Sequence, residues 1–216
     1  LDAVAALRSR GIKVYIATGR PVPFIDNLGE LEYDGMITVT GAHCFTSGGE
    51  VIYHQSVSAE SVGRVVGHLT HGADAYPVIF VCSDEMFITE LNEDVDAVAR
   101  LQLISFFKAD REPHFMSALM PDCTSMRWHP FFTDVIAGGV DKSVGIDKVL
   151  AYEGLSLDEA MAFGDGGNDM AMLSHVPCGI AMGNACEELK EVAAYVTASV
   201  DEDGVARALR HFGLIN

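Results

Sequence analysis

Positive charge is scarce in this chain of 216 residues, where 14 lysines and arginines stand against 31 aspartates and glutamates for a formal net charge of −17. The few cations form no cluster, so nothing in the sequence would neutralise phosphates along a nucleic acid or an anionic membrane, and neither partner is expected. Long apolar runs are lacking as well. None approaches the roughly eighteen residues of a membrane span, and no basic start followed by a short greasy core marks a secretory leader, so a cytoplasmic protein is expected. Paired cysteines are missing too: Cys44, Cys82, Cys123, Cys178 and Cys186 are odd in number and scattered, without a C-x-x-C pair. That excludes a disulfide frame or zinc knuckle and favours small buried hydrophobes. No G-x-S-x-G elbow, Walker loop or full dinucleotide fingerprint occurs. His68 and His71 share a helical face with no third ligand evident, and Trp128, His129 and Pro130 read more simply as core.

What is present is enough apolar material, 49% of residues, to bury one large core or two modest ones. Leu1 to Arg10 has helical spacing, stops at Gly11, and runs into the strand-like "IKVYIATG". "GMITVTGA" and "EVIYHQSV" read as further strands joined through "TSGG", and helical "ESVGRVVGHL" follows. The stretch from about Tyr76 to Val135 is richer in strand pairs, such as "PVIFVCS" and "MFITEL". From Lys142 the pattern becomes a regular alternation of helix and strand, which predicts an α/β fold with a doubly wound parallel sheet made from both ends of the chain and an α+β insert between them. The opening helix has no preceding strand to cross over from, so residues upstream of Leu1 are expected. Helical "EDVDAVARL" abuts strand-like "QLISFF" without turn residues, so a further segment is expected near Leu101 and Gln102.

The densest chemistry lies in "MAFGDGGNDMAML", residues 161 to 173. In an open parallel sheet, ligands sit beyond the carboxyl ends of the strands, and Asp165 begins where "AMAFG" ends. Gly164, Gly166 and Gly167 allow a ligand close to the main chain, while Asp165, Asn168 and Asp169 bring carboxylates suited to Mg²⁺. The same stretch also reads as a polar turn with an N-cap for the next helix. A second strand delivers Thr18, Gly19 and Arg20 from "VYIATGR", a hydroxyl, an accessible amide and a cation that together make a cradle for an oxyanion. Lys142, after "GGVD", either faces solvent at a helix start or reaches the sheet end.

These pieces resemble the haloacid dehalogenase superfamily in its Cof-like branch of phosphatases with a type IIB cap. The resemblance is carried by "ATGR" (17–20), Lys142 in "GVDKSVGID", "FGDGGNDMAML" (163–173), "GIAMGNA" (179–185) and "AYVT" (194–197). "DGMITVTGAHCF" is similar to the family's DG-x-I-T-x-N-G-A segment, with Thr40 in the usual Asn position. The resemblance covers almost the whole chain and implies a Rossmann-like core, 1–57 and 133–216, with an α+β cap at 58–132. It implies a Mg²⁺-dependent phosphatase of small phosphorylated metabolites, most similar to enzymes acting on sugar phosphates, acting as monomer or homodimer. Thr18, Lys142 and Asp169 would be catalytic; Thr18, Gly19, Arg20, Lys142, Asn168 and Asn184 would bind phosphate and substrate; Asp165 and Asp169 would hold the metal, Asp169 directly or through another group. The family's Asp-x-Asp-Gly-Thr signature, which carries the nucleophile and the acid/base, does not occur in these residues and is expected upstream of Leu1. A phosphomutase of the same fold, or a sugar-phosphate-binding protein without turnover, are the alternative readings.

Overall fold

Two-residue periodicity sorts the strand side chains of the first unit onto two faces, and this builds its core. The computed structural model describes residues 1–26, 28–71, 78–82, 86–88, 102–105, 109–130 and 132–216. It divides into two compact units, the first made of Leu1–Gly19, Asn27–Tyr53 and Asp141–Asn216. In the first, Met161 and Phe163 of β10 (Met161–Gly164) join Val14 in a cluster with Leu7 of α1 (Asp2–Ser9) and Leu209 of α7 (Gly204–His211). Ala162 turns the other way, against Met172 and Leu173 of α5 (Met170–His175) and Leu189 of α6 (Glu187–Val192). Alternate residues therefore feed opposite faces, and helices cover both, as in a doubly wound sheet.

The strands of that unit form two hydrogen-bonded groups. β1 (Tyr15–Ala17) pairs in parallel with β2 (Gly35–Thr38), which pairs antiparallel with β3 (His43–Thr46), followed at the edge by β4 (Val51–His54). The second group is β10, β11 (Cys178–Ala181) and β12 (Tyr195–Val196), all parallel. Among the described residues, neither β1 nor β10 has a ladder partner on its other edge.

The second unit comprises Arg20–Asp26 and His54–Val140. Its antiparallel sheet runs in the order β6 (Met86–Ile88), β5 (Val78–Val81), β7 (Gln102–Ser105), β9 (Phe132–Ala137), β8 (Cys123–His129). Val62 and Val65 of α2 (Ala59–His71), Phe115 of α3 (Glu112–Leu119), Val78, Phe80 and Val135 form its core. This unit runs up to Val140, because β9 pairs with both β7 and β8. The helix expected over 93–101 and the Asp84–Glu85 turn lie outside the described residues. So does Leu101, one side of the junction where a further segment was expected. No helix among the described residues is long and apolar enough to cross a membrane.

One local expectation fails. The strand read over "GMITVTGA" ends at Thr38, where Val39, Thr40 and Gly41 take φ of 50°, 51° and 100° and the chain doubles back as β3. A β-branched residue is a strong strand former, yet here two occupy the left-handed region that L side chains avoid. Gly41 explains the turn's place: its α-carbon lies so close to the Asp141 carbonyl that a Cβ would overlap it.

Candidate active site

The carboxyl ends of β1 and β10 open into a cleft of about 390 Å³, within the range of small-molecule sites. Its polar side comes from Thr18, Gly19, Lys142, Asp165, Asn168 and Asp169, and its apolar side from residues that include Phe163, Met182 and Val205. All of these residues belong to the first unit.

Asp169 organises the polar side. It is only 5% exposed, and both its oxygens are committed. Oδ2 accepts from the backbone N–H of Asp165 at 2.9 Å and of Gly166 at 3.0 Å, which folds the loop after β10 back on itself. Oδ1 accepts from Lys142 Nζ at 2.5 Å. Gly164 permits this packing, since a Cβ there would stand 2.6 Å from the Asp169 side chain.

Lys142 opens α4 (Lys142–Glu153), whose N-cap Asp141 accepts from the amides of Ser143 at 2.8 Å and Val144 at 3.2 Å. The helix start is seated on the Val39–Gly41 turn through Gly41 and Gly145. Lys142 is therefore 3% exposed with its ammonium delivered to the sheet end, which settles the choice between a solvent-facing lysine and an inward one. A buried cation of this kind persists because a carboxylate faces it.

Thr18 and Gly19 follow β1 and are stitched to its neighbour. Thr18 N–H donates to the Ile37 carbonyl at 2.8 Å, and the Thr18 carbonyl accepts from Thr40 N–H at 3.2 Å. A Cβ on Gly19 would come within 3.1 Å of Asn168 Nδ2, so the loops after β1 and β10 converge. Asn168 is exposed and its carboxamide makes no hydrogen bond among the described residues, which leaves it available to a ligand. Arg20, expected in the same cradle, clusters with the second unit, where its Nη1 donates to the Phe24 carbonyl at 3.4 Å.

Asp165 is exposed. Its Oδ2 accepts from Asn184 Nδ2 at 3.1 Å, and Asn184 Oδ1 in turn accepts from Val200 N–H at 3.0 Å. Asn184, expected to line the pocket toward substrate, has both ends of its amide engaged within the protein. Asp165 Oδ1 makes no hydrogen bond among the described residues. Of the two carboxylates expected to hold a metal, Asp165 thus offers an open oxygen, while Asp169 is occupied in bracing Lys142 and the loop. No group of three or more His, Cys, Asp or Glu side chains converges as a metal site among the described residues. One carboxylate still fits Mg²⁺, which is commonly held by one or two carboxylates together with water and phosphate oxygens.

Sequence reasoning overlooked Asp141 as an N-cap and noted Thr40 without reading its strained backbone. An Asp directly before Lys-Ser was a readable N-cap signal, and Thr in place of Asn at a left-handed position was a readable strain signal.

A family model for haloacid dehalogenase-like hydrolases matches residues 1–115 and 100–209. The chain is 34% identical to YkrA of Bacillus subtilis (strain 168) over 234 aligned residues, covering 98% of this chain and 89% of YkrA. Among solved structures it is similar to BT4131, a sugar phosphatase of haloacid dehalogenase subclass IIB, at 37% identity and a TM-score of 0.85, covering 99% of this chain and 90% of that one. It is also similar to BT1666 from Bacteroides thetaiotaomicron, at 31% identity and a TM-score of 0.88 over 99% of this chain and 87% of the other. With these matches spanning nearly its full length, the chain belongs to the haloacid dehalogenase-like hydrolase family.

Proposed function

We propose that this protein is a Mg²⁺-dependent phosphatase of small phosphorylated metabolites, with sugar phosphates as its substrate class. The observation that carries the reading is the buried Lys142–Asp169 pair at 2.5 Å, which holds a cation beside the exposed Asp165 at the mouth of the cleft. Phosphoryl transfer asks for alignment and positive charge more than for covalent invention. Lys142 Nζ spends one donor on Asp169 and keeps two for phosphate oxygens. The Thr18 hydroxyl, the Gly19 amide and the Asn168 carboxamide add uncharged donors, and Asp165 would hold Mg²⁺, which supplies further charge neutralisation when bound.

The nucleophile in this reading is an aspartate carboxylate on a strand upstream of Leu1. The carboxylate oxygen forms the new bond to phosphorus as the bond from phosphorus to the sugar oxygen breaks, and the departing sugar oxygen takes a proton from the neighbouring acid. Water then attacks the aspartyl-phosphate, releasing inorganic phosphate and restoring the carboxylate. Similarity to the sugar phosphatase BT4131 supports the substrate class.

Inorganic phosphate release by the full-length protein from a panel of hexose and pentose phosphates tests the proposal. Release in Mg²⁺ that stops in EDTA is expected. An isomeric sugar phosphate with little free phosphate would replace this reading by the mutase, and ligand binding without turnover would replace it by a binding protein.

A further inference from the structure

We propose that Asn184 makes Asp165 a one-oxygen metal ligand and so sets a preference for Mg²⁺ over Ca²⁺. The inference rests on the metal reading given above and deepens it. An exposed aspartate on a glycine-flanked loop would ordinarily rotate and offer either or both oxygens. Here Oδ2 is occupied by Asn184 Nδ2 at 3.1 Å, and Oδ1 alone remains open.

The donor cannot turn round. Asn184 Oδ1 accepts from Val200 N–H at 3.0 Å, a group that only donates, so the amide nitrogen must face the carboxylate. The turn carrying Asn184 is held at both ends. Met182 N–H donates to the Gly164 carbonyl at 2.9 Å, the residue from which Asp165 extends, and Gly183 N–H donates to the Ala198 carbonyl at 3.0 Å, just beyond β12. Val200 is held as well, because Ser199 and Glu202 cap the short turn it begins, with Ser199 Oγ donating to Glu202 Oε2 at 2.8 Å. Backbone on both sides thus fixes a single amide against a single carboxylate oxygen.

The two cations differ in what they ask of a carboxylate. Mg²⁺ demands a tight octahedron of single oxygens, whereas the larger Ca²⁺ takes about six to eight ligands and accepts both oxygens of one carboxylate. A carboxylate with one oxygen already committed serves the first and handicaps the second.

The test is isothermal titration of Mg²⁺ and of Ca²⁺ into the full-length protein without substrate, with Asp165→Ala as the zero. Groups that orient a metal ligand are worth about 10- to 100-fold in metal affinity. Asn184→Ala is therefore expected to weaken Mg²⁺ about tenfold or more and Ca²⁺ less, so that the Mg²⁺/Ca²⁺ affinity ratio falls, and Asn184→Gln is expected to recover part of it. Val200→Pro supplies an independent variant: it removes the N–H that orients the amide at the first position of a helical turn, where proline is well tolerated. It should shift the ratio the same way. An unchanged ratio in folded Asn184→Ala or Val200→Pro, with Asp165→Ala unable to bind, overturns the role of Asn184 and leaves Asp165 as the ligand. A parent protein that binds no Mg²⁺ overturns both.

Discussion

Replacing Asp169 by asparagine changes one heavy atom of a side chain that accepts three hydrogen bonds at once. With the amide oxygen in the place of Oδ2, the bonds from the Asp165 and Gly166 amides survive. What is lost is the carboxylate facing Lys142 Nζ at 2.5 Å, and an NH₂ group now points at the ammonium of a buried lysine. Removing one member of a buried pair costs about 3–5 kcal/mol, because the remaining charge is left desolvated without compensation. At about 2–4 °C per kcal/mol for a chain of this length, the melting temperature should fall by about 6–20 °C. Urea and thermal unfolding of Asp169→Asn measure this, with the exposed Asp165→Asn as a control expected within about 0.5 kcal/mol of the parent. Adding Lys142→Met removes the orphaned charge and should return at least half of the lost stability, a coupling that a double-mutant cycle reads directly. An Asp169→Asn protein within about 0.5 kcal/mol of the parent would refute the bracing role.

Four further outcomes are expected. Asp165→Ala should abolish Mg²⁺-dependent phosphate release with stability almost unchanged, while Lys142→Ala should lower turnover by about 10²-fold or more, both read by steady-state kinetics beside thermal melts. Thr40→Asn places a residue that tolerates the left-handed region where a β-branched one now sits at φ 51°; it should stabilise the protein by about 1 kcal/mol, and a lowered melting temperature would contradict the strain argument. Burial pushes the thiols of Cys44 and Cys123 up to about 12, so at pH 8 only about one part in 10⁴ of either is thiolate. Mass-mapped alkylation of the native protein should therefore label exposed Cys186 first and leave Cys44 and Cys123 slow until denaturant is added.

Legibility followed the range of the interactions involved. From Lys142 to His211 the alternation of helix and strand was readable because each element declares itself locally: Asp141 caps α4, Gly154 ends it at φ 71°, and alternate residues of β10 feed opposite faces. The loop after β10 was readable for the same reason, as its carboxylates and glycines lie within a few residues of one another. What escaped depended on distant partners. The break after Thr38 overrides two strand formers because Gly41 must meet the start of α4 some hundred residues later. Asn184 was assigned to substrate from its motif, and only Val200 and Asp165, placed by the fold on either side, reveal that its amide is already engaged.

The central claim is that the end of β10 and the start of α4 together form a metal-assisted phosphoryl-transfer site. It is tested most directly by stripping the full-length protein with EDTA, supplying the sugar phosphate it best hydrolyses, and following inorganic phosphate as Mg²⁺ is added back to the parent and to Asp165→Ala. The account predicts saturable restoration in the parent and none in the variant. Release that is indifferent to Mg²⁺, or equal in the two proteins, would contradict it.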